Sequence, residues 1–200
     1  MKNHKYGVIY ADPPWQYNNY NYKKTKDGKK AKRGCRKEYN VMNIEEVKKL
    51  PVREIADENC ILFLWITFPH LEEAMDVIRS WGFEYKTVGF VWVKLNKKSK
   101  SLFWGMGTKT RSNSEVCLIG VKGKPKRVSG AVHSVVIEKI GDKHSSKPKE
   151  VRRRIDKLMG DEVKKIELFS RLSDVPGWHH WGRECKCNIR GFNRKKKVKY

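Results

Sequence analysis

The chain has 200 residues, 38% of them hydrophobic, and a formal net charge of +23 at pH 7. This length and apolar content suit one domain with a buried core. The longest apolar run, residues 60–66, is too short to span a bilayer, and the first ten residues lack the apolar segment of a secretion signal. We therefore expect a soluble, cytoplasmic protein with no membrane partner.

Short apolar runs alternate with helical patterns along the chain. Helices are predicted at 44–49, where Asn43 and Glu46 resemble a capping box, from Pro69 to the residue before Gly82, and from Pro148 to the residue before Gly160. This alternation is typical of an α/β domain, here with a mostly parallel sheet flanked by helices. Strands are predicted at 6–11, 60–66, 87–93, 115–121, 134–138 and 165–169, the second and third of the type buried on both faces.

Positive charge is concentrated in two segments that interrupt this pattern. The insert 23–37 holds nine Lys or Arg residues and one Asp, and the tail 188–200 holds six and no acidic residue. We interpret both as mobile basic arms of a single domain, 1–187, and we expect them to contact phosphates. The alternative is that these lysines only keep the chain soluble. A smaller basic loop occupies 94–100.

The five cysteines are scattered, which argues against a disulfide framework. Cys185 and Cys187 follow His179 and His180 closely and raise the possibility of zinc. Structural zinc sites usually separate paired cysteines by two or more residues. We therefore expect no metal.

The tetrapeptide Asp12-Pro13-Pro14-Trp15 directly follows the first predicted strand. The exocyclic amine of adenine is a poor nucleophile because its lone pair is delocalised into the ring. A carboxylate and a backbone carbonyl held by two prolines can accept both of its hydrogens and free that lone pair. An aromatic ring can stack on the extruded base. The alternative is an ordinary turn with two prolines.

Tyrosines flank the basic insert on both sides. Tyr17, Tyr20 and Tyr22 precede it and Tyr39 follows it. Aromatic rings beside phosphate-binding lysines are typical of surfaces that hold extruded bases. We assign Tyr17, Tyr39 and Lys94 to substrate binding, although some of the tyrosines are expected only to pack.

Taken together, the motifs resemble the MT-A70 family of adenine methyltransferases, over residues 6–184. The resemblance implies a Rossmann-like methyltransferase fold, S-adenosylmethionine (SAM) as cofactor, and catalytic motifs before donor-binding ones. The motifs, in order, are Ala11 to Trp15; Tyr39-Asn40-Val41-Met42; Leu62-Phe63-Leu64-Trp65; Trp81-Gly82-Phe83; Trp92-Val93-Lys94; His144-Ser145-Ser146-Lys147-Pro148; Glu167-Leu168-Phe169-Ser170-Arg171; and Gly177-Trp178-x-x-Trp181-Gly182.

Residue roles follow from the resemblance. Asp12, Pro13, Pro14 and Trp15 are expected to hold adenine and to be catalytic. The donor is assigned to Lys147, Glu167, Arg171, Arg183 and Glu184, with Lys147 placed to reach either the donor or the target nucleotide. Arg183 stands where the family usually has an asparagine.

The resemblance therefore predicts direct in-line transfer of a methyl group from SAM to N6 of adenine in nucleic acid. We favour DNA as the substrate, because a small and highly basic chain is typical of bacterial or phage DNA modifiers. We expect the protein to act as a monomer or a homodimer. The alternatives are an RNA N6-adenosine methyltransferase, a non-catalytic nucleic-acid-binding module, and methylation of N4 of cytosine. The aspartate of the tetrapeptide favours adenine over cytosine.

Overall fold

A computed structural model of the chain describes residues 5–15, 42–107, 109–141, 146–187, 189 and 192. The basic insert 23–37 and nearly all of the tail 188–200 lie outside these residues, as do Tyr17, Tyr20, Tyr22 and Tyr39. What the sequence predicts for them stays a prediction.

Within the described residues, seven strands form one sheet in the order β5-β3-β4-β2-β1-β6-β7. Strand β4 runs antiparallel to both of its neighbours, β2 and β3, and every other pairing is parallel. The prediction of a mostly parallel sheet is confirmed. The strands are β1 Tyr6–Ala11, β2 Ala56–Ile66, β3 Glu84–Leu95, β4 Ser114–Lys122, β5 Val135–Lys139, β6 Lys165–Leu168 and β7 Trp178–Trp181.

In the described part of the chain, four helices lie between these strands: α1 Ile44–Lys48, α2 Val52–Ile55, α3 Leu71–Ser80 and α4 Lys149–Met159, with a 3-10 turn at Phe68–His70. The predicted capping box of α1 is present, because Asn43 accepts from the backbone of Glu45 and Glu46 accepts from the backbone of Asn43. Gly82 and Gly160 follow α3 and α4 with positive φ, as expected for residues past a helix end.

The core lies on both faces of the sheet. Alternate side chains of β1 point to opposite faces, so Ile9 packs on the side of α1 to α3 and Tyr10 packs on the side of α4. Trp81, at the end of α3, donates its indole N–H to the carbonyl of Val47 and ties α3 to α1. The layers are therefore helix, sheet and helix, with β1 buried between the two helical layers.

The structure differs from the sequence predictions at several elements. Strand β7 and helix α2 were not predicted. Strand β3 is exposed over its first half, Glu84–Val88, instead of being buried on both faces. The reason is that β5 pairs with β3 only from Val91 onward, so the first half of β3 is a sheet edge. In the part of the chain that the structure describes, no helix is long and apolar enough to cross a membrane.

Candidate active site

The tetrapeptide lies at the carboxyl end of β1, an interior strand that is buried along its whole length. Strand β1 pairs in parallel with β2 on one side and β6 on the other, and its last residue, Ala11, pairs with Leu64 and Leu168. The carboxyl ends of all three strands therefore share one edge, where open α/β sheets place their ligands. Asp12 leaves β1 at this edge.

Two backbone contacts fix the prolines that follow Asp12. The carbonyl of Pro13 accepts from the backbone N–H of Trp15 at 2.8 Å, and the carbonyl of Pro14 accepts from Met42 at 3.1 Å. Each carbonyl oxygen has two lone pairs, so each can accept one further hydrogen bond. The turn thus presents two carbonyls of fixed direction beside the Asp12 carboxylate.

The Asp12 side chain is 31% exposed, and its Oδ2 lies 2.8 Å from the Nζ of Lys147. Lys147 comes just before α4, two residues ahead of its first residue, Lys149. The Lys147 ammonium is nearly buried and lies over the Trp65 ring, 5.6 Å from the ring centre. The structure therefore joins two residues that are 135 positions apart in the chain.

The contact continues through a chain of alternating charges. Glu115, at the start of β4, lies 3.3 Å from Lys147 through its Oε2 and 2.5 Å from the Nζ of Lys94 through its Oε1. Lys94 thus points inward, to a carboxylate beside Lys147. Glu115 was not singled out from the sequence, where a glutamate at a strand start resembles any solvated charge.

These contacts shift the pKa values of the charged side chains at this edge of the sheet. Burial raises the pKa of the Asp12 carboxyl, and Lys147 opposes that rise. Burial would also raise the pKa of Glu115, but Lys147 and Lys94 outweigh it and hold the pKa below its ordinary value. The Lys147 pKa is raised, because Asp12 and Glu115 outweigh the effect of burial. Lys147 is therefore a cation throughout the neutral range.

Trp15, the last residue of the tetrapeptide, is nearly buried beside Trp65 and His70. Its ring is 7% exposed and stacks on His70 with centroids 5.6 Å apart and planes 17° apart. Its indole N–H donates to the carbonyl of Trp65 at 2.9 Å, and the Trp65 indole donates to the Tyr10 hydroxyl at 2.7 Å. One face of Trp15 is therefore covered by His70, and the ring is held rigidly.

A second carboxylate lies one strand away. Glu167 in β6 pairs with Tyr10 of β1, two residues before Asp12. Its side chain is 13% exposed, and its Oε2 lies 2.7 Å from the guanidinium of Arg152 in α4. Burial raises the pKa of Glu167, and Arg152 opposes that rise. Arg152 was missed in the sequence because it begins a run of three arginines.

The segment after Glu167 is held by β7. His180 of β7 is buried, its Nδ1 lies 3.1 Å from the Ser170 hydroxyl, and its Nε2 accepts from the backbone of Val175. That acceptance places the ring proton on Nδ1, toward Ser170. Phe169 and Asp174 both have a φ of 61°, a strained conformation for residues other than glycine. Such strain is found at ligand-binding segments.

The other donor-assigned residues gather around this segment. Arg171 lies 3.6 Å from Glu184, and both side chains are partly exposed. A side chain at Gly182 would collide with the backbone of Ser170, so a glycine lets the two segments touch. The structure thus places Glu167, Arg171, Arg183 and Glu184 in two adjoining segments, while Tyr17 and Tyr39 lie outside the described residues.

The histidines and cysteines considered for zinc are engaged elsewhere. His179 Nδ1 lies 2.7 Å from the Tyr6 hydroxyl, and Cys187 donates to the carbonyl of Gly182 at 3.3 Å. Burial raises the pKa of the Cys185 thiol to about 11. Among the described residues, no group of three or more His, Cys, Asp or Glu could hold a metal ion.

A mostly parallel sheet with a carboxylate-bearing turn at its ligand edge defines a Rossmann-like α/β enzyme domain. Comparison with known families narrows this class. Residues 6–184 match MT-A70, and the chain belongs to that family of methyltransferases. The resemblance drawn from the motifs is confirmed over the same residues.

Similar proteins fall into two groups. A Type II methyltransferase, M.MunI, from Mycoplasma sp is 36% identical over 194 residues, which cover 92% of this chain and 79% of that protein. The catalytic subunit METTL3 of an N(6)-adenosine-methyltransferase from Homo sapiens is 29% identical over 182 residues. An MT-A70-like N(6)-adenosine-methyltransferase from Drosophila melanogaster is also 29% identical. The chain spans only 28% and 27% of the length of these last two proteins.

Proposed function

We propose that the chain transfers a methyl group from SAM to N6 of adenine in DNA. The observation that carries this proposal is the Asp12 carboxylate, half-buried at the carboxyl edge of β1 beside two proline-held carbonyls and bound by Lys147 on one oxygen. The described contacts of Asp12 occupy Oδ2. We assign Oδ1 to one hydrogen of the adenine amine and the carbonyl of Pro13 to the other.

These two acceptors make the amine reactive. Hydrogen bonds from both N–H groups draw the nitrogen toward a tetrahedral shape and localise its lone pair on N6. The N6–carbon bond then forms as the sulfur–carbon bond breaks, sulfur keeps the electron pair, and the N6 proton leaves to solvent. Acceptors that are held in place before the reaction cost no reorganisation when charge develops.

Lys147 has two roles in this proposal. Its ammonium counters the rise in the Asp12 pKa that burial causes, so Asp12 stays an acceptor. It also fixes the direction of the carboxylate, because it is itself held between Asp12 and Glu115. Lys94 supports the same arrangement through Glu115. We therefore revise the proposed role of Lys94, from direct substrate contact to positioning.

SAM, when bound, supplies a methyl group on a positively charged sulfur. The residues at the edge fit such a donor. Arg152 holds the Oε2 of Glu167, with His180 3.7 Å from the same oxygen, and we assign the Oε1 of Glu167 to the ribose hydroxyls. Arg171 lies within the segment from Phe169 to Asp174, and Arg183 and Glu184 lie in the adjoining segment after Gly182. With the donor beside β6 and the adenine beside β1, positioning alone supplies on the order of 7–11 kcal/mol of the barrier.

The choice of DNA rests on similarity and charge. The relative with 36% identity, of which the chain covers 79%, is a Type II methyltransferase whose name lacks the reference to adenosine that the other relatives carry. The N(6)-adenosine-methyltransferases are 29% identical, and the chain covers less than a third of each. A charge of +23 suits any polyanionic strand. RNA is therefore the alternative to test.

The experiment compares DNA and RNA of matched sequence, single- and double-stranded, in transfer of tritiated methyl from SAM. Incorporation into DNA that disappears on replacing Asp12 supports the proposal. Preference for RNA would overturn the choice of substrate. Incorporation that survives the loss of Asp12 would overturn the mechanism.

A further inference from the structure

The connection between β3 and β4 carries an exposed apolar tip that the proposed chemistry does not use. Trp104 is 68% exposed and Met106 is 95% exposed, and Leu102 is exposed beside them. Exposed large side chains in a cluster mark a contact surface, since isolated domains rarely present them together. We call Trp104, Met106, Lys109 and Arg111 the tip.

The tip is built as a narrow projection. After β3 the chain turns back, so that Leu102 pairs with Leu95 and Phe103 donates to the carbonyl of Lys94. A side chain at Gly105 would collide with the backbone of Ser112, and one at Gly107 would collide with that of Thr110. The two glycines therefore let both arms of the projection lie against each other.

The charge of this projection selects the partner. Residues 96–113 contain five Lys or Arg residues and no Asp or Glu. The Arg111 guanidinium lies over the Trp104 ring, 4.1 Å from its centre. Aromatic rings with cations beside them bind nucleic acids by base stacking and phosphate contact. Two other partners fit the projection less well. An acidic membrane surface has no bases on which Trp104 could stack, and binding in the groove of another protein would not require five positive charges.

The projection also lies at the correct edge. Strand β3 runs parallel to β1, so its carboxyl end shares the edge of Asp12. Lys94, one residue before the end of β3, is joined to Asp12 through Glu115 and Lys147. The projection and Asp12 therefore lie at the same edge of the sheet.

We infer that the tip is a wedge, in which Met106 and Trp104 enter the base stack of duplex DNA beside the target adenine while Lys109 and Arg111 contact phosphates. An adenine inside a duplex cannot reach Asp12 until it leaves the stack. Apolar side chains inserted between base steps are a known means of opening duplex DNA. This inference rests on the proposed function and adds how the duplex is opened.

The test uses the full chain, with Met106→Ala and Trp104→Ala as variants and Tyr85→Ala as the matched control. Tyr85 is a partly exposed aromatic at the opposite end of β3. The probes are unmethylated phage DNA as duplex and the same DNA separated into single strands. The measurements are tritiated-methyl transfer to each form, duplex affinity by anisotropy, and SAM affinity by calorimetry, which also reports folding.

We expect each tip variant to lower duplex transfer about tenfold while SAM affinity and the Tyr85→Ala control stay at wild type. Met106→Ala should leave single-strand transfer unchanged, because no stack needs opening there. An equal ratio of duplex to single-strand transfer in wild type and Met106→Ala would overturn the wedge. If wild type transfers no methyl to DNA, the proposed function fails, and the duplex affinity of the tip variants then tests the tip by itself. Weaker duplex binding by these variants would support a DNA contact at the tip but overturn the wedge. Unchanged duplex binding would overturn both the DNA contact and the wedge.

Discussion

Two carboxylates lie on neighbouring strands of the same edge, and their surroundings differ. Asp12 follows β1, is 31% exposed, and belongs to a chain of four alternating charges that ends at Lys94. Glu167 lies within β6, is 13% exposed, and pairs with Arg152, while the ring of His180 lies 3.7 Å from the same oxygen. Burial raises the pKa of both carboxyl groups, and a cation opposes the rise in each case.

The difference suggests that Asp12 and Glu167 have separate roles, which we call the division of work. The charges around Asp12 are held by strands and by the start of α4, which suits an acceptor that must not move when adenine arrives. The region around Glu167 includes two residues with strained φ and a buried histidine that ties two segments together. That arrangement suits a binding segment shaped around a ligand. We therefore expect Asp12 to control turnover and Glu167 to control donor affinity.

Replacing Asp12 gives the largest expected effect. Asp12→Ala removes one acceptor of the amine, and we expect a fall in kcat on the order of 10²–10³-fold or more with SAM affinity largely kept. Tritiated-methyl transfer and calorimetry measure the two quantities. Glu72→Ala, an exposed acidic residue of α3, is the control. Turnover near that of wild type in Asp12→Ala would show that the carboxylate is not an acceptor.

Replacing Lys147 should change the pH dependence as well as the rate. Without the ammonium, burial raises the Asp12 pKa further, so the acidic limb of the kcat profile moves to higher pH. We expect a loss of about 10²-fold near neutral pH in Lys147→Met, because the carboxylate also loses its direction. Lys147→Arg should recover part of both effects. An acidic limb that stays in place would separate Lys147 from Asp12.

Replacing Arg152 should weaken the binding of SAM. Arg152→Met leaves Glu167 buried without its cation, and we expect SAM affinity to fall about tenfold and unfolding to become easier by about 3 kcal/mol. Calorimetry and urea denaturation measure these changes. Arg153→Met is the matched control, because Arg153 is highly exposed and pairs with Glu150 on the helix surface. Loss of kcat without loss of SAM affinity would contradict the division of work.

Glu115 should affect stability in a pH-dependent way. Its pKa is lowered in the folded protein, so its charge stabilises the fold above the ordinary glutamate pKa, and this contribution is lost as pH falls through the lowered value. We expect Glu115→Gln to be less stable than wild type at neutral pH, and the difference to shrink in acid. Urea denaturation across pH measures it. A constant difference would mean that packing, and not charge, is lost.

The sequence predicts the surroundings of Asp12 better than those of Glu167. Strand β1 is a continuous apolar run and the tetrapeptide follows it without a gap, so local pattern places Asp12 correctly. The predicted capping box at Asn43 and the helix ends at Gly82 and Gly160 are also local features, and all are present. Where one short stretch carries the whole signal, the sequence is sufficient.

The missed features depend on contacts between distant segments. Arg152, Arg153 and Arg154 are consecutive, and only the packing of α4 on the sheet turns Arg152 toward Glu167. Strand β7 was not predicted because its buried positions are Trp178 and His180, and a buried histidine looks polar in the sequence. Its burial is possible because Ser170 and the backbone of Val175 satisfy both ring nitrogens.

The most direct test of the central claim is nucleoside analysis, by mass spectrometry, of DNA incubated with the protein and SAM. We expect N6-methyldeoxyadenosine with wild type and none with Asp12→Ala. Methylated cytosine as the product would contradict the claim, as would N6-methyldeoxyadenosine formed equally well by the Asp12→Ala variant.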